Sequence, residues 1–454
     1  MFARGKVGTS KVRARIVGPL AVVLVSGALL ASATPTQAEV VVWKGATVHP
    51  VSGPAIDDGI VVAEDGKITA IGDSSTAVPA GATVVDASGK HVYPGLIHPA
   101  SVLGLIEIGS VAGTRDVREM GDLNAHIRAE VAFNADSLLL PPTMAGGVLT
   151  AHVAPRGGVI SGTSAVMRLD GWNWEDMTVE TPIGMHVNLP RQSRFSSATP
   201  EEQEEQKKKA MATLDTAFDT AEAYAKARKA ADEGTGPALD FDPRYEGLIP
   251  VLDGELPVYL WASDKGQIET ALDWAEERGF ENFVLVAGPD AQYLAERLAE
   301  EDVPVILGGV LRLPERRWEP YDSAYVAASK LHAAGVKFCI SDSASSFGAS
   351  NARNLPFHAA MAAAFGLPRD VALRSVTLSV AEVLGIDDRL GSLDVGKNAT
   401  LMVTNGDPLE IMTHVERVWI EGREIDLSQD HQRRLYEKYR NRPRPEGLEA
   451  SRLQ

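Results

Sequence analysis

The sequence predicts an α/β protein in which helices cover a parallel sheet in the middle of the chain, with a small β domain assembled from its two ends. Three observations predict it. Between residues 147 and 340, strand-like apolar runs alternate with helix-spaced stretches, as they do when strands are buried on both faces beneath helices. Short β runs punctuated by turn sequences flank that region on both sides. A chain of 454 residues also suffices for a large core plus a smaller domain.

Residues 1–38 read as a processing signal. Arg4, Lys6, Lys11, Arg13 and Arg15 precede an apolar run from Ile16 to Ala31, and Thr36-Gln37-Ala38 offers a small-residue cleavage site. Gly18, Pro19, Ser26 and Gly27 interrupt the run, which is shorter than the ~20 residues of a spanning helix. Cleavage is therefore expected, with no stable membrane insertion afterwards, and the expected location is the periplasm or the medium. Cys339 is the only cysteine, so stability must come from core burial and not from an intrachain disulfide. Losing the five basic residues of the signal takes the formal net charge from -17 to -22. Such a surface repels nucleic acid and anionic lipid, so no nucleic-acid partner is expected.

Residues 39–92 form the first part of the β domain. Val40 to Trp43, Gly59 to Ala63, Lys67 to Gly72 and Ala82 to Asp86 read as strands, with Asp57-Asp58-Gly59, Glu64-Asp65-Gly66 and Ser88-Gly89-Lys90 as turns. Residues 389–430 hold the second part, with β runs at Ala399 to Thr404 and Val415 to Arg423. Between them, residues 93–388 carry strand-like runs at Gly147 to Val153, Val258 to Trp261, Phe283 to Ala287, Val303 to Leu307 and Val336 to Ile340. Gln267 to Gly279 and Ala291 to Glu301 have apolar residues three and four apart, the period of a helix. Arg194 to Glu233 is a charged helical excursion, and residues 431–454 are a polar tail read as a fraying helix followed by disorder.

Tyr93-Pro94-Gly95-Leu96-Ile97-His98-Pro99-Ala100-Ser101-Val102 resembles the first barrel strand of the amidohydrolase superfamily, in which an Asp and then two alternating histidines follow Pro-Gly-Leu-Ile. Here His98, Ala100 and Val102 stand at those three positions, and no His-x-His occurs elsewhere. Arg389-Leu390-Gly391-Ser392-Leu393-Asp394-Val395-Gly396-Lys397 resembles the family's closing stretch. Ala125-His126-Ile127-Arg128-Ala129 and Gly157-Gly158-Val159-Ile160-Ser161-Gly162 resemble its imidazolonepropionase-like exported group. The resemblance implies a distorted (β/α)8 barrel plus a small β-sandwich built from both chain ends, with active groups at the C-terminal ends of the barrel strands. It also implies a metal-bound water as nucleophile and an Asp on the last strand as proton shuttle.

Carried over by position, the family's ligands are mostly missing. Ala100, Val102, Trp261 and Ala287 stand where metal histidines are implied, His186 stands where a bridging Lys is implied, and Asp342 is retained. Two readings follow. His98, His186 and Asp342 match in kind a three-ligand site for a single divalent metal such as zinc. Otherwise no cofactor binds, His98 and His186 are hydrogen-bonded interior histidines, and Asp342 caps the following helix. For substrate binding, His126 and Arg128 lie in a pocket-lining segment or in a loop ion pair. Arg353 could meet a substrate anion or solvent, and Trp261 stacks on a ligand or fills the vacated metal cavity. Asn398-Ala399-Thr400 fits the glycosylation pattern.

The function expected from these residues is that of an amidohydrolase-related protein with lost or strongly altered metal catalysis. It would act as a binding or partner subunit, as a homo-oligomer or with an intact amidohydrolase paralogue. One alternative is an active C–N hydrolase with a rebuilt mononuclear site and Asp342 as proton shuttle. The other is a metal-free small-molecule receptor.

Overall fold

The computed structural model describes residues 39–190, 198–342, 345–440 and 442–443. The expected signal and cleavage motif, and the end of the polar tail, lie outside the described residues. Val40–Val48 is the hub of an eight-stranded sheet drawn from both chain ends. On one edge it pairs antiparallel with Ile56–Glu64; on the other it pairs in parallel first with Thr83–Asp86 and then with His91–Pro94. Leu401–Thr404 joins His91–Pro94, and Val415–Ile420 and Arg423–Ile425 continue the sheet.

Two tight turns in this sheet follow from residue type. Asp65-Gly66 and Glu421-Gly422 all have positive φ, the conformation that a two-residue hairpin needs at both positions. The second turn breaks the β run expected from Val415 to Arg423 into a hairpin. Val41, Trp43, Val61, Leu401 and Trp419 pack together, with the two indoles edge to face at 5.3 Å.

The central region forms two further sheets. One runs Thr178–Glu180, Ala165–Arg168, Val148–Val153, Leu96–Ser101. The other runs Phe338–Ile340, Val305–Leu307, Phe283–Ala287, Val258–Ala262, Met185–Asn188, Ile160–Thr163. Five successive strands from Met185–Asn188 to Phe338–Ile340 are parallel, and the four from Val258–Ala262 onward are runs that the alternation predicts. Ile160–Thr163 runs antiparallel to Met185–Asn188, and Ala165–Arg168 runs antiparallel to Val148–Val153. The first and last strands meet through Ser375 and Val376, whose carbonyls accept from the amides of Ile340 and Ile97 at 2.9 and 3.0 Å. The result is a mixed α/β fold of TIM-barrel type with an added β domain.

Lys265–Arg278 replaces the expected helix start by two residues, and its ends explain why. Asp264 and Gln267 form a reciprocal capping box, and Gly279 closes the helix at φ +71. The expected helix at Ala291 to Glu301 is instead a 3-10 turn, Pro289–Leu294, followed by Ala295–Glu300. The charged excursion is one helix, Pro200–Asp232, which is not merely solvated. Its Leu214, Ala217, Phe218 and Ala221 recur at helical spacing and pack on Trp274 and Phe280. The tail begins with a helix, His431–Arg440, none of whose residues is buried. Among the described residues no helix is long and apolar enough to cross a membrane.

Candidate active-site region at the barrel mouth

The first barrel strand departs from simple alternation. The four residues from His98 to Ser101 run opposite three, Ala151 to Val153, on the neighbouring strand. Pro99 has no N–H to offer a ladder, which suits it to such an irregularity. As a result Ala100 packs with Tyr259, Val286 and Cys339, whereas Val102 packs in the separate cluster around Val153 and Leu103. The bulge therefore sets Ala100 and Val102, the two positions where the resemblance implies alternating histidines, in different clusters.

His98 is fully buried, with Nε2 3.0 Å from Oδ1 of Asp342. His98 Nε2 makes no hydrogen bond among the described residues, so this is a close polar contact and not an aligned hydrogen bond. Asp342 follows the last strand, and its carbonyl accepts from the Gly309 amide at 2.6 Å. It does not cap the next helix: the Ser345 side chain does, accepting from the Gly348 amide at 3.0 Å.

Across the barrel, His186 pairs in register with Tyr259, and their rings stack at 4.9 Å. Trp261 lies one layer above, and its indole N–H donates to Nδ1 of His186 at 2.8 Å. An indole nitrogen can only donate, so Nδ1 holds the lone pair and the ring proton sits on Nε2. That Nε2 is buried with no hydrogen-bond partner among the described residues. Burial, then the neighbouring His152 and the Arg156 charge, hold the His186 pKa well below the usual histidine value.

His152 also faces the interior. Its Nδ1–H donates to the Pro99 carbonyl at 2.7 Å, and Nε2 accepts from the Ser164 hydroxyl at 2.7 Å. Burial pushes its pKa down to about 4. From the end of the same strand Arg156 reaches across the mouth, and its guanidinium lies 3.8 Å from the centre of the Trp261 ring. Burial lowers its pKa to about 10. Sequence reasoning missed Arg156 and Ser164. The available signal was a lone Arg just past the C-terminal end of a central strand, where barrel sites are built.

Register corrects another position. Trp261 lies beside Val286, and Ala262 beside Ala287. Laterally paired residues share a face, so Ala287 points away from the side Trp261 occupies, and Val286 is its neighbour in the mouth. His126 and Arg128 are exposed, and Arg128 pairs with the buried Glu130 at 2.6 Å. Arg353 extends toward Gln432 of the tail helix at 3.4 Å, away from Asp342's strand end. Asn398 is buried, donating to Glu421 at 2.9 Å and accepting from Lys67 at 2.5 Å, so its amide is not available for glycosylation.

These residues do not fit a divalent ion. His98 and Asp342 come together, but the Nδ1 lone pair of His186 is taken by Trp261, and its other nitrogen carries the proton. Among the described residues no three His, Cys, Asp or Glu side chains come together to hold a metal ion, whereas catalytic zinc usually takes three protein ligands.

The fold and the placement of the retained Asp342 at the end of the last barrel strand define a TIM-barrel-type hydrolase relative. Residues 262–425 match the amidohydrolase family. Amidohydrolase tasK of Hapsidospora irregularis is 24% identical over 429 residues, a match covering 84% of this chain and 42% of that protein. The chain thus spans less than half the length of that relative. A crystal structure of an amidohydrolase from Thermotoga maritima MSB8 is 26% identical with a TM-score of 0.74, covering 85% of this chain and 99% of its own. Molinate hydrolase, 17% identical with a TM-score of 0.51 over 91% of this chain and 99% of its own, shares the fold. The chain belongs to the amidohydrolase superfamily.

Proposed function

We propose that this chain is an exported amidohydrolase-related protein, a distorted (β/α)8 barrel with a composite β-sandwich, in which metal hydrolysis is lost or strongly altered. It serves as a binding or partner subunit, alone as a homo-oligomer or with an intact paralogue. One observation carries this reading: a protein-supplied column of Arg156, Trp261 and His186 occupies the side of the mouth where the resemblance implies metal ligands. A guanidinium and a divalent ion in the same small space would repel each other, and the bound indole N–H blocks the histidine lone pair. The apolar Ala100 and Val286 beside that column raise the cost of desolvating any added ion.

The alternative is a rebuilt mononuclear hydrolase site, favoured only by the 3.0 Å approach of His98 and Asp342. Elemental analysis of the mature chain purified in zinc separates the two. The proposal expects less than about one tenth of a zinc per chain. Stoichiometric zinc that disappears in Asp342→Ala overturns it.

A further inference from the structure

We infer that the barrel mouth binds the carboxylate of a small organic anion, with the Arg156 guanidinium as the fixed cation where relatives hold a metal. The inference deepens the binding role proposed above and rests on it.

The argument begins with what Arg156 lacks. In a chain of net charge -17, most arginines near the barrel surface are paired: Arg278, Arg297, Arg316 and Arg389 each contact at least two acidic side chains. Arg156 has no acidic partner and no hydrogen bond to its guanidinium among the described residues. Burial is the sole cause of its lowered pKa, which means that no neighbouring anion offsets the lost hydration. Such a charge is costly to hold in place unless something completes it.

Its geometry is that of a presented group. The guanidinium carbon sits 3.8 Å from the centre of the Trp261 ring, and its N–H groups, which make no hydrogen bond among the described residues, are left for a two-pronged contact with a planar carboxylate. Trp261 is itself fixed by its bond to His186, so the platform is held before any ligand arrives. Both Arg156 and Trp261 are half-buried, reachable from the mouth and not sealed in the core. Arg118, which also has no ion pair among the described residues, lays its stem against Gly157 and adds a second positive charge to the rim. The floor supplies a donor without an acceptor, the buried Nε2–H of His186. Arg156, Arg118 and the Nε2–H of His186 thus place two cations and one donor around Trp261, with no acidic side chain paired to either arginine among the described residues.

The chemical class follows. A carboxylate matches the fork of one guanidinium, and the apolar Ala100 and Val286 beside it suit an uncharged organic body over a free inorganic ion.

The test uses the full mature chain labelled with 5-fluorotryptophan, its seven tryptophan signals assigned by Trp261→Phe. N-acetyl-L-alanine is the probe, and N-acetyl-L-alaninamide is the uncharged control. The inference expects a saturable shift of the Trp261 signal with the acid, weakened about tenfold or more for the amide and for Arg156→Gln. Arg156→Lys, which keeps the charge and loses the fork, is expected to fall between. No shift of that signal at millimolar acid, or equal affinity in Arg156→Gln with the other six signals unchanged, overturns it. If Arg156→Gln does not fold, equal binding of acid and amide by the unsubstituted chain overturns it. Zinc measured on the same sample keeps the two ideas apart: a metal-free chain that ignores the acid refutes only this inference, and a zinc-loaded chain refutes the proposed function.

Discussion

The indole N–H of Trp261 donates to Nδ1 of His186 at 2.8 Å inside the barrel, joining the two strands at their ligand positions by a bond that no metal mediates. Trp261→Phe keeps the aromatic bulk and removes that donor. The Nδ1 acceptor is then left buried and unsatisfied, so unfolding free energy should fall by about 1–3 kcal/mol in urea titration. A change below a few tenths would show that the bond contributes little.

Asp342 and His98 approach to 3.0 Å with both side chains almost wholly enclosed. Removing the carboxylate takes away the polar neighbour of the buried His98 and leaves a small cavity, so Asp342→Ala should lower stability by about 1–3 kcal/mol. Guanidinium denaturation of the variant against the parent chain checks this.

The buried histidines make stability depend on pH. The pKa values of His152 and His358 are lowered by burial to about 4, and that of His186 lies well below the usual value. As pH falls through 6.5, the unfolded chain takes up protons that the folded chain refuses, so the folded state loses stability toward pH 4. Each histidine should cost about 2 kcal/mol by pH 5. Urea midpoints at pH 7, 6 and 5 should therefore decline, and His152→Gln should decline less steeply. A flat midpoint across that range contradicts the buried, neutral assignment.

Gly184 precedes the His186 strand, and a Cβ there would fall on the Tyr259 ring. Gly184→Ala should push Tyr259 against His186 and cost about 1–3 kcal/mol by overpacking. Near-ultraviolet circular dichroism should report the disturbed aromatic cluster, and thermal unfolding should report the loss.

Much of the fold was legible in residue order. The alternation of strand runs and helical spacing located the parallel strands to within a residue or two, and Glu64-Asp65-Gly66 announced a hairpin turn. Boundaries were less legible. Lys265–Arg278 starts earlier than its apolar period because a capping box sets its first turn, and the helix expected at Ala291 begins as a 3-10 turn after Pro289. The antiparallel segments flanking Ser164 were not foreseen, since they depend on how short connections constrain a closing sheet.

By itself, the sequence determined which residues stand where the resemblance implies ligands, Ala100, Val102, Trp261 and Ala287, and that Asp342 stands where it implies the proton shuttle, because residue identity is independent of packing. Only the tertiary structure decided which of the remaining polar groups meet. The bulge at Pro99 separates Ala100 from Val102, register turns Ala287 away, and Trp261 takes the lone pair that His186 would offer an ion. Arg156 comes to lie on a residue 105 positions further along the chain. Such contacts are set by strand register and side-chain direction in a closed sheet, quantities that a one-dimensional order of residues does not contain.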